Sequence, residues 1–172
     1  RKDLVRSLVS MMFATRCSEL SQLENPPFIM AAGSYGDYFY SPTRKAYTLV
    51  AIFKTGQWKQ ALEGLVSVTK QAYEFGFTQS ELDRAVAEME SYVRKSYNER
   101  STQKNSKFVD KALTHFLQQE PEFSEEYSYE LYNQLLPGVT LKDVNETFRQ
   151  FFPTDSKNMS LVLMSDENEN SV

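Results

Sequence analysis

Two stretches decide the fold: Phe28-Ile29-Met30-Ala31-Ala32-Gly33-Ser34-Tyr35-Gly36-Asp37-Tyr38-Phe39 and Ala46-Tyr47-Thr48-Leu49-Val50-Ala51-Ile52-Phe53-Lys54. Both are of strand length and rich in aromatic and β-branched residues. Between them stands Ser41-Pro42-Thr43-Arg44-Lys45, a run of turn-forming and charged residues, so an antiparallel hairpin is expected. The second stretch is apolar at odd and even positions alike, which predicts a strand covered by helices on one side and another layer on the other. Gly33 and Gly36 mark a possible bulge in the first strand.

Helices flank this hairpin. Upstream, Asp3 to Leu20 places Leu4, Leu8, Met12 and Phe13 at helical spacing, with Val5, Val9 and Cys17 beside them. So wide a stripe predicts a helix buried over much of its circumference. Asn25-Pro26-Pro27 ends it, because proline lacks an amide and restricts its predecessor. Downstream, Trp58, Ala61, Leu62, Leu65, Val66 and Tyr73 form one helical stripe, closed at Gly76, where a left-handed residue is needed. Thr78-Gln79-Ser80-Glu81 reads as a capping box, opening a helix that buries Leu82, Ala85, Val86, Met89, Tyr92, Val93 and Tyr97.

Phe108, Val109, Ala112, Leu113, Phe116 and Leu117 outline a further helix, stopped by Pro121. Ser124 to Leu136 is a tyrosine-rich helix broken by Pro137-Gly138. Thr140-Leu141-Lys142-Asp143 resembles another cap, leading to Val144, Phe148 and Phe151, with Pro153 as the stop. Met159 to Met164 is a short apolar run that predicts a returning strand, and the tail from Asp166 is too polar to pack. Strands kept apart from helices indicate an α+β fold: a small antiparallel sheet covered by a block of about five helices. The reading is one domain over 1–165 with a disordered polar tail, 166–172, and no internal repeat.

The 172 residues carry a formal charge of −4, with bases interleaved among acids, unlike the clustered basic excess of a nucleic-acid binder. No stretch reaches the ~18 apolar residues of a membrane span. Cys17 is the only cysteine, so the chain has no disulfide framework and no thiolate cluster. It opens at Arg1 without an initiator methionine, which leads us to expect a boundary there, with any targeting signal outside it.

His115 is the only histidine. A catalytic zinc takes three protein ligands and keeps one position open, and the metallopeptidase motifs need two histidines at helical spacing with a glutamate base. Gln118 and Gln119 occupy the turn after His115, so this chain is expected to bind no cofactor and catalyse no hydrolysis. A Cys–His pair would have to join Cys17 to His115 in space; the plainer readings are a core thiol and a helix-surface imidazole. The acids Glu125-Glu126 and Glu88/Glu90 read as a solvated face. Gly33-Ser34-Tyr35-Gly36 lacks the spacing of a phosphate loop, and Asn145-Glu146-Thr147 and Asn158-Met159-Ser160 match the short glycosylation sequon. Phe123, Tyr127, Tyr129 and Tyr132 form an aromatic cluster for core or interdomain packing, or for a partner. From these residues alone, a stand-alone helical interaction module remains an alternative.

Three passages meet a known pattern. Phe13-Ala14-Thr15-Arg16-Cys17-Ser18-Glu19-Leu20, followed by Asn25-Pro26-Pro27-Phe28, resembles the helix-to-strand segment of insulinase/pitrilysin-type zinc metallopeptidases. Glu74-Phe75-Gly76-Phe77-Thr78-Gln79-Ser80-Glu81-Leu82 resembles the turn between the two helices that follow. Leu135-Leu136-Pro137-Gly138-Val139-Thr140-Leu141-Lys142-Asp143-Val144-Asn145 is similar to a third passage, in family order. The resemblance implies one non-catalytic domain of a larger protein. Family members join homologous α/β domains, of which only one carries the inverted H-x-x-E-H zinc motif while the others close a chamber around peptides. The best fit is the second domain of a long bacterial protein, lacking its first strands here, with a periplasmic or cell-envelope location expected. The implied partners are the parent's other domains and its peptide substrate, with zinc held by the catalytic domain. Arg16 matches an arginine of the family's substrate-contacting domains, and Leu23 stands where a tyrosine would fall. Arg16 is therefore the one substrate-binding residue that the resemblance implies.

Overall fold

In a computed structural model of the chain, residues 1–38, 41–103, 105–118, 123–152 and 159–164 are described. Helix α1 (Lys2–Ser21) leads into an antiparallel pair, β1 (Met30–Tyr38) and β2 (Ser41–Ile52). Five helices follow: α2 (Trp58–Phe75), α3 (Gln79–Asn98), α4 (Asn105–Gln118), α5 (Glu125–Leu135) and α6 (Leu141–Gln150). This is the expected α+β arrangement.

The hairpin register pairs Met30 with Ile52, Gly33 with Leu49 and Tyr35 with Tyr47, and shifts between Asp37 and Tyr38. The irregularity thus lies beyond both glycines. Ser41–Lys45, expected as a loop, belongs to β2, because the strand resumes at Ser41 opposite Tyr38. Gly33 has a different task. A Cβ there would lie 2.5 Å from the Tyr47 hydroxyl oxygen, so the missing side chain lets that ring lie across the strand.

The sheet is covered on one face. Ala31 and Gly33 of β1 are buried, and Tyr35, Tyr47, Leu49 and Ala51 are half-buried beneath α1 and α6. On the opposite face Met30, Val50 and Ile52 are about half exposed, with Ala32, Ser34 and Thr48 between them. The second covering layer predicted for β2 is absent among the described residues. The helices gather on one side, and the strand's apolar outer positions stay in the open.

Core formation follows the α1 stripe. Leu8, Val9, Met12, Phe13 and Cys17 are at or near zero exposure. Their surroundings are Ala61, Leu65, Val68 and Ala72 of α2, Leu82, Ala85, Met89 and Val93 of α3, and Val144 and Phe148 of α6. Phe148 stacks on Phe13 at 5.7 Å and meets Phe77 edge-on at 5.3 Å. Val66 and Tyr92, expected to be buried, are 55% and 68% exposed. The buried stripes are narrower than the apolar residues alone suggest: Leu82, Ala85, Met89 and Val93 form that of α3, and on α2 Ala61 and Leu65 are joined by Val68 and Ala72.

The predicted capping box at Thr78 forms, and the cap expected at Thr140 is a capping box as well. Thr78 accepts from the Glu81 amide while Glu81 accepts from the Thr78 amide, and Thr140 and Asp143 repeat the exchange at α6. Ser124 caps α5 by accepting from the Tyr127 amide. Met159–Met164 is corrected: the run is irregular and exposed, with Leu161 at 73% and Met164 at 84%. A lone strand gains no ladder hydrogen bonds, and no described strand pairs with it. The stops at Pro121 and Pro153, the sequon at Asn158 and the polar tail lie outside the described residues.

Candidate functional site

Arg16 sits on α1, one residue before Cys17, where the helix passes the α2–α3 junction. Its guanidinium clasps Glu81 with two donors, Nε to Oε1 at 2.5 Å and Nη2 to Oε2 at 2.9 Å. Nη2 also donates to the Gly76 carbonyl at 2.8 Å, and the guanidinium lies 4.6 Å from the Phe77 ring centroid. Both charged side chains are 14% exposed. Such a planar fork on a carboxylate is the geometry at which arginine excels. Burial alone would raise the Glu81 pKa, but hydrogen bonds from Arg16 and Thr78 and the Arg16 charge bring it down to about 2.

The junction that Arg16 grips is unusual in its backbone. Gly76 has φ 75 and ψ −172, a region open in practice only to glycine. The sequence pattern had suggested an ordinary left-handed helix cap; the extended ψ instead sends the chain straight on to Phe77 and the Thr78 cap. Asn145 of α6 closes the same site from the other side. Its Oδ1 accepts from the Phe77 amide at 2.6 Å and its Nδ2 donates to the Phe77 carbonyl at 3.3 Å. Arg149 adds a bond from Nε to the Tyr73 carbonyl at 3.1 Å. Nothing in a single sequence marks Asn145 as a clamp. Its place in a sequon points elsewhere, yet its amide nitrogen is spent on Phe77. Leu23, the position of the missing family tyrosine, is 54% exposed beyond the end of α1.

The other chemical candidates are placed apart. Cys17 is fully enclosed, and burial pushes its thiol up to about 11, so it carries no thiolate at neutral pH. His115 is exposed on α4, a helix with no described residue in the core. Structure and sequence thus leave Cys17 and His115 in unlike surroundings. Glu126 pairs with Arg100 at 2.6 Å, and Glu125 accepts from Ser96 at 2.8 Å. Glu88 and Glu90 are exposed on α3. Among the described residues there is no group of three histidine, cysteine, aspartate or glutamate side chains able to hold a metal ion. No described helix is long and apolar enough to cross a membrane.

The tyrosine cluster divides. Tyr129 and Tyr132 pack against the core, with Tyr129 stacked on Tyr97 at 4.6 Å. Phe123 and Tyr127, 5.1 Å apart, are 43% and 49% exposed. The remaining extended feature is the bare sheet face around Met30, Val50 and Ile52.

Taken together, a helical layer laid on one side of a hairpin sheet is an architecture seen in a peptidase of insulinase type. The solved structures that match are of the periplasmic protease PqqL from Escherichia coli. Its first half aligns with a TM-score of 0.76 at 16% identity, covering 87% of this chain and 32% of that one. The whole protease aligns with a TM-score of 0.74, also at 16% identity, covering 87% of this chain and 16% of that one. The chain therefore has a distant insulinase-like fold and spans about a third and about a sixth of the lengths of these two chains. No protein-family model matches the sequence, and no curated protein does.

Proposed function

We infer that this chain is a non-catalytic structural domain of a zinc metallopeptidase, forming part of the wall of a chamber in which another domain hydrolyses peptides. The observation that carries this reading is the one-sided sheet. Helices back its inner face, while Met30, Val50 and Ile52 leave its outer face apolar and open. The likeness in fold to PqqL, which is a protease, supports a peptidase context. The lone exposed His115 supports a role by shape rather than by chemistry. A wall of this kind excludes bulk water and folded proteins from a reaction centre supplied elsewhere. Its partners would be the other domains of the same polypeptide and, across the sheet face, an extended peptide. In that setting Arg16 is a substrate contact only if a peptide reaches the rim of its pair with Glu81.

The coding sequence around residues 1–172 provides the first test. An H-x-x-E-H motif upstream, with a glutamate further along, is expected; a start codon and a stop codon at the two ends would refute the reading. In the full polypeptide, Val50→Asp should raise KM for an unfolded peptide while zinc content stays unchanged. An unaltered KM would remove the sheet face from the chamber wall.

A further inference from the structure

The end of α3 and the start of α5 are joined directly, although α4 stands between them in the chain. Ser96 donates to Glu125 at 2.8 Å, Tyr97 stacks on Tyr129 at 4.6 Å, and Arg100 donates to Glu126 at 2.6 Å. The Arg100 guanidinium also lies 4.1 Å from the Tyr97 ring centroid and donates to the Tyr97 carbonyl at 2.8 Å. One side chain therefore grips the last turn of α3 and the first turn of α5 together. Ser124 caps α5 within that same first turn. None of these contacts uses a residue of α4.

α4 itself buries little. Each of its described side chains is exposed, with Phe108, Val109, Leu113, Phe116 and Leu117 at 50%, 57%, 52%, 75% and 70%. His115 and Phe116 have contacts of their own, yet three-quarters of the Phe116 surface stays in solvent. At its first turn Phe108 shares a cleft of about 420 Å³ with Arg100, Gln103 and Phe123, so the helix begins beside open space. A helix of 14 residues is near the lower limit for standing alone in water, and most helices draw their stability from the face they bury.

We propose that α4 is a hinged arm, which unfolds and refolds on its own while the Arg100–Glu126 clamp keeps α3 and α5 joined. Opening uncovers little new apolar surface and leaves the core of α1, α2, α3 and α6 untouched. A segment with few buried apolar contacts opens at the low end of the range that a folded domain spans. Opening also withdraws Phe108 from the cleft and bares its Phe123 side.

Hydrogen–deuterium exchange of the 172-residue chain, resolved by peptide, tests the arm. Amides of α4 should exchange at least ~100-fold faster than those of α3 and α5 on either side. Equal rates for α4 and α5 overturn the proposal. Leu113→Pro gives a second reading. In a helix that shares the cooperative transition, an interior proline lowers the melting temperature by about 10 °C. Here the shift should stay within ~2 °C, with exchange in α3 unchanged. A larger shift places α4 in the cooperative core and overturns the proposal. Arg100→Ala, which opens the clamp, should speed exchange in α5 about tenfold while α1 stays as it was. An α5 rate indifferent to Arg100→Ala refutes the hinge.

Discussion

Arg16, Glu81, Gly76 and Asn145 carry more of the tertiary specificity than their residue types suggest. Glu81 serves its own helix through the Thr78 cap and the rest of the molecule through Arg16. Because its folded pKa is depressed to about 2 from 4.5, its contribution to stability is complete above pH 4.5 and is lost as pH falls towards 2. Linkage puts that loss on the order of 3 kcal/mol. Arg16→Ala should cost about 2–4 kcal/mol at pH 7, since it strands a carboxylate that is mostly buried. The gap between variant and parent should narrow on acidification. Urea unfolding at pH 7 and pH 3 measures both effects, and a gap that is constant with pH would contradict this account. Gly76→Ala should cost about 2 kcal/mol or more: the new side chain meets a backbone region closed to it, and its Cβ would lie 2.8 Å from Asn145 Oδ1. Thermal melting of this variant beside Gly36→Ala, where nothing lies within 4 Å of the added carbon, separates a required glycine from a tolerated one.

The elements themselves are held by short-range chemistry that is written in consecutive residues. Thr140 and Asp143 exchange hydrogen bonds at the start of α6, and Arg1 reaches Asp143 at 3.1 Å from the far end of the chain. Thr140→Ala should lower stability by ~1 kcal/mol, the usual value of a cap, while Thr140→Ser should be nearly neutral. Chemical denaturation of the two variants checks this. Hairpin, α1 and the five later helices were all legible as elements, since period, caps and proline stops are local signals. Met159–Met164 was not: its composition is that of a strand, but a strand exists only beside a partner. The stripe on α4 shows the same limit. Amphipathic spacing predicts the helix, yet says nothing of what its apolar side will meet, and here that side faces outward.

At the level of the whole molecule, the aromatic layer between α1, α6 and the sheet sets the architecture. Phe148 touches Phe13, Phe77, Tyr47 and Phe152, so Phe148→Ala should cost about 3–5 kcal/mol through the cavity it leaves. Val50→Lys, on the open sheet face, should stay within ~0.5 kcal/mol of the parent, whereas Leu49→Lys, one residue away on the covered face, should unfold the chain. A fluorescence-monitored urea titration of the three variants tests that polarity; equal losses at positions 49 and 50 would mean that the outer face is covered. The lone imidazole, the two helix caps, the α1 stripe and the segregation of hairpin from helices could be read from residue identity and spacing alone, because hydrogen-bonding partners three residues apart and apolar residues one turn apart are neighbours in any fold. Which sheet face lies bare, that Arg16 closes on Glu81 sixty-five residues away, and that Asn145 clamps Phe77 depended on tertiary structure. Those contacts join segments whose separation along the chain carries no periodic signal, and they exist only once packing against the core has brought α1, the α2–α3 junction and α6 together.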